Sequence, residues 1–102
     1  MIARLWRGWT TPENAEPYER FLREQMFPSI HRVPGFAGAE LLRRDAGDEV
    51  AFVTITRFDS LDAVRAFAGD DYTRAVIEPD AKALLARHDE TSEHFEVVIA
   101  GG

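Results

Sequence analysis

The chain has 102 residues, 45% of them apolar, a formal net charge of -6 and no cysteine. That length supports a single domain over 1–102 whose apolar share can fill a core. The negative balance works against non-specific binding to nucleic acid or to an anionic membrane, and without cysteine there is no disulfide framework, thiolate nucleophile or thiolate metal site. No apolar run approaches the roughly 20 residues of a membrane span. The opening MIARLWRGW is too short and too charged for a secretory signal, so a cytoplasmic protein is expected.

Ile2 to Trp9 reads as a strand with Ile2, Arg4 and Trp6 on one face and Ala3, Leu5, Arg7 and Trp9 on the other. Gly8 marks a bulge or a close backbone approach near its end. Thr11-Pro12 is a helix-start signal. Ala15, Tyr18, Leu22 and Met26 then form an apolar stripe widened by Phe21. Pro17 deep in a helix would cost about 3 kcal/mol, which moves the expected regular start to Asn14–Glu16. Pro28 is expected to end the helix. After the Val33-Pro34-Gly35 turn, Phe36 to Arg44 and Glu49 to Phe58 read as strands joined by Asp45-Ala46-Gly47-Asp48. Val50 to Phe58 has the β-branched and aromatic content of a strand buried on both faces. Ser60 can cap a helix carrying Leu61, Val64, Phe67 and Ala68, which Gly69 closes as an αL cap. Asp70 or Asp71 can cap a further short turn with Tyr72, Ala75 and Val76. Asp80 caps a helix through Ala81, Leu84 and Leu85. In a last strand from Thr91 to Ala100, Phe95, Val97 and Ile99 alternate with His94, Glu96 and Val98.

The order β-α-β-β-α-β is the ferredoxin-like plan: an α+β fold with an antiparallel four-stranded sheet and helices on one face. Two helices cover only that face. The other exposes more apolar surface than a lone monomer usually carries, and a second copy packed sheet against sheet about a two-fold axis would cover it. A homodimer through the sheet faces is expected.

That element order, the segment RFDSLDAVRAFAGDDYTRAV and the closing SEHFEVV together resemble the antibiotic biosynthesis monooxygenase family of dimeric α+β barrels. The likeness spans nearly the whole chain, and it implies a small hydrophobic or aromatic ligand. Members include cofactor-independent quinone-forming oxygenases acting on aromatic polyketides, haem-degrading oxygenases, and small isomerases or cyclases. The haem-degrading branch uses an Asn in the first strand, a Trp on the central helix and an iron-ligating His about ten residues later. Here the first strand has no Asn, the Trp position matches Phe67, and the His position falls on Val76 or Ile77. Haem degradation by that mechanism is therefore disfavoured. The polyketide-oxidising branch favours an aromatic residue on the central helix followed by a tyrosine, which Phe67 and Tyr72 match in type, while its Trp and its Asn near that helix are not found.

Several residues are candidates for a site. Tyr72 could hydrogen-bond a phenol or quinone oxygen or move a proton, or simply pack as a half-buried tyrosine. Phe67 serves as core or as substrate shelf. Trp6 and Trp9 cannot share a face, so at most one lines a pocket. His94, with Glu96 on its face, is either an acid–base group or half of a surface ion pair. His31, His88 and His94 are too scattered for a metal motif, and His88 beside Asp89 reads as a surface cation. Arg4 and Arg7 stand among apolar neighbours, as a carboxylate-binding site or as interface salt bridges. No phosphate loop or nucleophile elbow is present, so no cofactor is expected. An oxygenase of this kind would draw its electrons from an electron-rich substrate such as a phenol. The expected function is a small-molecule enzyme resembling cofactor-independent monooxygenases, with Tyr72 and His94 as catalytic groups and Trp6, Phe67 and Tyr72 binding substrate. A non-redox cyclase or isomerase, or a binding protein without chemistry, is the alternative.

Overall fold

A computed structural model describes residues Met1–Gly102. The chain runs β1 (Ile2–Thr10), α1 (Pro12–Phe21), a π-helical segment (Leu22–Met26), α2 (Phe27–Ile30), β2 (Phe36–Ala46), β3 (Glu49–Phe58), α3 (Leu61–Ala68), α4 (Pro79–Leu84), β4 (Arg87–His88) and β5 (Glu93–Glu96). It is an α+β fold of ferredoxin-like type, an antiparallel sheet with helices on one face. The sheet order is β2-β3-β1, with β4 and β5 both on the far side of β1.

Five strands form the sheet where four were expected, because the last strand is split. Arg87 and His88 pair with Trp9 and Gly8, and Glu93 to Glu96 pair with Leu5 back to Ile2. Between the two pieces the backbone turns away from β1 to another partner: Ser92 N–H donates to Thr73 O at 2.7 Å and Ala75 N–H to Glu90 O at 3.0 Å. His88, read as a surface cation beside Asp89, therefore sits half-buried in a strand opposite Gly8, and Val98 and Ile99 lie beyond the sheet, largely exposed.

The helical layer departs from expectation at its prolines. Thr11 Oγ1 accepts from Asn14 N–H at 3.3 Å, and α1 starts at Pro12, so Pro17 lies inside it. Pro28 does not stop the chain. Its approach is widened into the π-helical segment, where Phe27 N–H reaches Leu22 O, and the helical path continues to Ile30. The wider turn takes up a proline ring that would otherwise press on the preceding turn. Ser60 caps α3, its Oγ accepting from Ala63 N–H at 3.2 Å. Gly69 ends α3 at φ 86 and ψ -178, which is extended in ψ and so not the αL cap expected. Residues 70–78 form no further helix: a turn closed by Arg74 N–H on Asp71 O leads into the pairing with 90–92. Asp80 falls in the first turn of α4, with Glu78 at the cap.

β3 alternates strictly. Val50, Phe52, Thr54, Thr56 and Phe58 are buried beneath the helices, while Ala51, Val53, Ile55 and Arg57 are only half-buried on the outer face. The expectation of burial on both faces thus fails within one chain. The core falls into two clusters, one of Tyr18, Leu22, Val50 and Phe52 with Ala15 and Ala81, the other of Ile30, Phe58, Ala63 and Val64.

Candidate active site

Between sheet and helices, bordered by both core clusters, lies a cavity of about 210 Å³. Its floor follows from the strand period. Arg4 pairs with Thr56 and Trp6 with Thr54, so four side chains from β1 and β3 rise together on the helix side. Tyr18 closes it from α1, Leu22 and Met26 from the π-helical segment, Ile30 from α2, Phe67 from α3, Val76, Ile77 and Glu78 from the approach to α4, and Ala81 from α4 itself. Ser92 enters from the break between β4 and β5. Most of this surface is apolar, with few polar groups, the usual make-up of a small-molecule site.

Gly8 helps to shape it. A Cβ there would stand 3.0 Å from Leu85 Cδ2 and 3.2 Å from the Trp6 ring, so the glycine leaves room for the indole. Trp6 Nε1 donates to Asp89 O at 2.7 Å, which fixes the ring. Trp9, on the opposite sheet face, lies under the Arg87 guanidinium at 3.9 Å. Of the two tryptophans, Trp6 is the one on the cavity.

Arg4 is 5% exposed. Its Nη1 donates to Tyr72 O at 2.5 Å and lies 3.0 Å from His94 Nε2, and its Nη2 donates to Arg74 O at 3.0 Å. The Phe67 ring centroid is 5.6 Å from its guanidinium carbon. Burial pulls the guanidinium down to about 10, which leaves it charged at neutral pH. His94 takes up protons less readily than a free imidazole, first because it is partly buried and second because Arg4 is positive. With Arg4 as donor, Nε2 is the acceptor and the ring proton sits on Nδ1. Tyr72 meets His94 edge-on, centroids 5.1 Å apart. Neither Tyr72 nor His94 lines the cavity; both stand behind Arg4 and hold it, Tyr72 through its backbone carbonyl. Arg7, by contrast, faces the other way and pairs with Glu93 at 2.7 Å within the same chain.

Tyr18 is fully buried on the wall, and burial pushes its phenol up to about 12 with the Thr54 hydroxyl beside it. It stays protonated, a neutral donor. Sequence reading took Tyr18 for one more residue of an apolar stripe, and Thr54 and Thr56 for ordinary strand formers. For the two threonines the signal was the sheet face they share with Trp6. His31 packs on Phe36 and His88 lies near Trp6, with ring centroids 4.9 and 6.0 Å apart, and no cluster of three or more His, Cys, Asp or Glu side chains is placed to hold a metal ion.

Residues 1–79 match the family model described as antibiotic biosynthesis monooxygenase. No curated protein matches the chain in sequence. Among solved structures, a variant of SnoaB, a cofactor-independent oxygenase from Streptomyces nogalater, is similar at 26% identity and TM-score 0.64, covering 97% of this chain and 94% of that one. The haem degrader MhuD of Mycobacterium tuberculosis, solved with two haems in its active site, has 24% identity and TM-score 0.62 over 100% of both chains. The ActVA-Orf6 monooxygenase of Streptomyces coelicolor, in complex with nanaomycin D, has 15% identity and TM-score 0.60, covering 99% of this chain and 92% of that one. The match over most of its length settles the kinship: the chain belongs to the antibiotic biosynthesis monooxygenase family.

Proposed function

We propose that the chain is a small-molecule enzyme that oxidises aromatic or polyketide-like substrates with dioxygen and without a bound cofactor, working as a homodimer. The observation that carries this is the cavity: mostly apolar and aromatic walls over a sheet floor that carries Arg4, Thr54 and Thr56. SnoaB, similar in fold and at 26% identity, is described as a cofactor-independent oxygenase. Trp6 and Phe67 would hold the rings of the substrate, and the apolar walls would strip water from it. In that setting an electron-rich phenol, as its anion, can pass electrons to dioxygen directly. For an anthrone the balance is a CH2 group and O2 giving a carbonyl and water, so the substrate supplies all four electrons. Tyr72 and His94 act one layer back in this proposal, holding Arg4 rather than touching substrate.

Haem breakdown is the competing reading because MhuD shares the fold. The donor set does not fit it. No histidine lines the cavity, Val76 and Ile77 occupy the wall where the resemblance would put one, and His94 Nε2 is bonded to Arg4.

The dimer is proposed on the outer sheet face. Leu5, Val53 and Ile55 are half-buried there with no layer above them, and Leu42 and Phe95 are 46% and 51% exposed on the same face. A second copy would cover this stripe.

Oxygen uptake by the purified protein with an anthrone-type phenol, with no flavin, haem or metal added, is the test. The proposal expects turnover under those conditions. No uptake with any such phenol, together with a histidine-ligated Soret band and reductant-dependent haem loss when haem is added, would replace it with the haem reading.

A further inference from the structure

Arg4 is a cation buried in a cavity wall with no acid to balance it. Each of the other paired arginines has a carboxylate: Arg7, Arg43, Arg57, Arg65, Arg74 and Arg87 all lie within 4 Å of one. Arg4, far more buried than these, has only two backbone carbonyls and a neutral imidazole. A buried charge is normally paired or neutralised, because taking it out of water is costly. Glu78, exposed at the edge of the cavity, makes no ion pair with it. A second copy packed on the outer sheet face would not supply the acid either, since Arg4 shares the helix side with Thr56 and His94.

The three contacts account for three of the five guanidinium N–H groups and leave Nε–H and one N–H on Nη2. Thr10 Oγ1 is the one fully enclosed side-chain polar atom without a partner, so the unpartnered Nε of Arg4 is not fully enclosed, and Arg4 lines the cavity. Nε and Nη2 form one edge of the guanidinium, and that edge matches the two oxygens of a carboxylate. The room beyond is small. About 150 Å³ suffices for benzene in a dry cavity, and this one holds about 210 Å³.

We propose that Arg4 is the carboxylate-binding residue of this cavity, and that the ligand is a small aromatic acid seated with its carboxylate on the Nε/Nη2 edge and its ring between Trp6 and Phe67. This rests on the functional reading above only in using the same cavity; it stands or falls on binding, whatever the turnover. The carbonyls of Tyr72 and Arg74, with His94 Nε2, then serve to aim the free edge at the ligand.

The test is equilibrium binding of 2-naphthoate, 2-naphthamide and 2-naphthol at neutral pH, followed by calorimetry and by quenching of Trp6 fluorescence. Naphthoate should bind saturably, and the amide, of the same shape without the charge, about ten- to a hundred-fold more weakly. Naphthol, with one oxygen, should resemble the amide. Arg4→Met should abolish the preference for naphthoate, with a circular-dichroism spectrum as the check on folding. Should that variant not fold, the comparison of the three ligands on the unaltered protein decides alone. Equal affinity for naphthoate and naphthamide, or no saturable naphthoate binding, would overturn the assignment. Naphthoate preference without oxygen uptake from any phenol would keep the site and reject the oxygenase. Uptake with no such preference would do the reverse.

Discussion

Three side chains in line set the electrostatics of the site: Arg4 on the cavity, His94 and Tyr72 behind it. His94 carries a consequence that can be measured in solution. Burial and the Arg4 charge hold its proton affinity in the fold below the 6.5 of a free imidazole. As pH falls, the unfolded chain is therefore protonated first, and stability declines from about pH 6.5 downward until the folded imidazole also takes a proton. Melting temperatures between about pH 5 and pH 7.5 should show this loss. His94→Gln, which keeps an acceptor for Arg4, should flatten that part of the profile. An unchanged slope in the variant would mean that other groups dominate. Arg4 was legible in the sequence as a charge among apolar strand neighbours, with a carboxylate site and an interface salt bridge as its two readings. What separated Arg4 from Arg7 was the face each occupies, which the alternation states but does not rank.

Strands and helices were legible wherever periodicity acted alone. β1 falls where its alternation put it, the β2–β3 hairpin where its turn chemistry and β-branched content put it, and α3 where the Ser60 cap put it, although β3 alternates where burial on both faces was expected. The misses share a cause, in that long-range pairing overrode a local signal. Asp70 or Asp71 was read as the cap of a further short turn carrying Tyr72, Ala75 and Val76; a turn closes at Asp71–Arg74, but Thr73 to Ala75 then pair with 90–92, and the same pairing splits the last strand into β4 and β5. Pro28 was a stop signal in isolation, yet the π-helical segment absorbs it because Leu22 and Ile30 are both buried on the sheet side. At this scale Gly35 is the sharpest test of how the hairpin meets α3. It has φ +85, and a Cβ there would come within 2.6 Å of Ala63 Cβ. Gly35→Ala should cost about 2–5 kcal/mol in urea unfolding, combining backbone strain with overpacking. Gly47→Ala, at φ +71 with nothing within 4 Å, should cost only the strain, about 1 kcal/mol. Equal costs at the two sites would show that the contact with Ala63 relaxes freely.

For the whole molecule, one sheet face is covered by helices and the other is an apolar stripe without a partner in its own chain. Sequence reasoning could not say whether Phe52 or Val53 faces outward; Phe52 is buried against Tyr18, with ring centroids 5.0 Å apart, and Val53 lies on the outer face. The proposed dimer should scatter light at about twice the 11.5 kDa chain mass at micromolar concentration. Val53→Asp should give folded monomer, or unfold the chain where folding depends on the partner. A wild-type monomer with a folded spectrum would remove the dimer from the account. Its central claim, that the cavity supports oxygenation without a cofactor, is tested most directly by the fate of the oxygen atoms. Turnover of an anthrone-type phenol under 18O2 by the unsupplemented protein should place one labelled oxygen in the product carbonyl and the other in water. Product free of label, or label appearing only after haem or flavin is added, would contradict it.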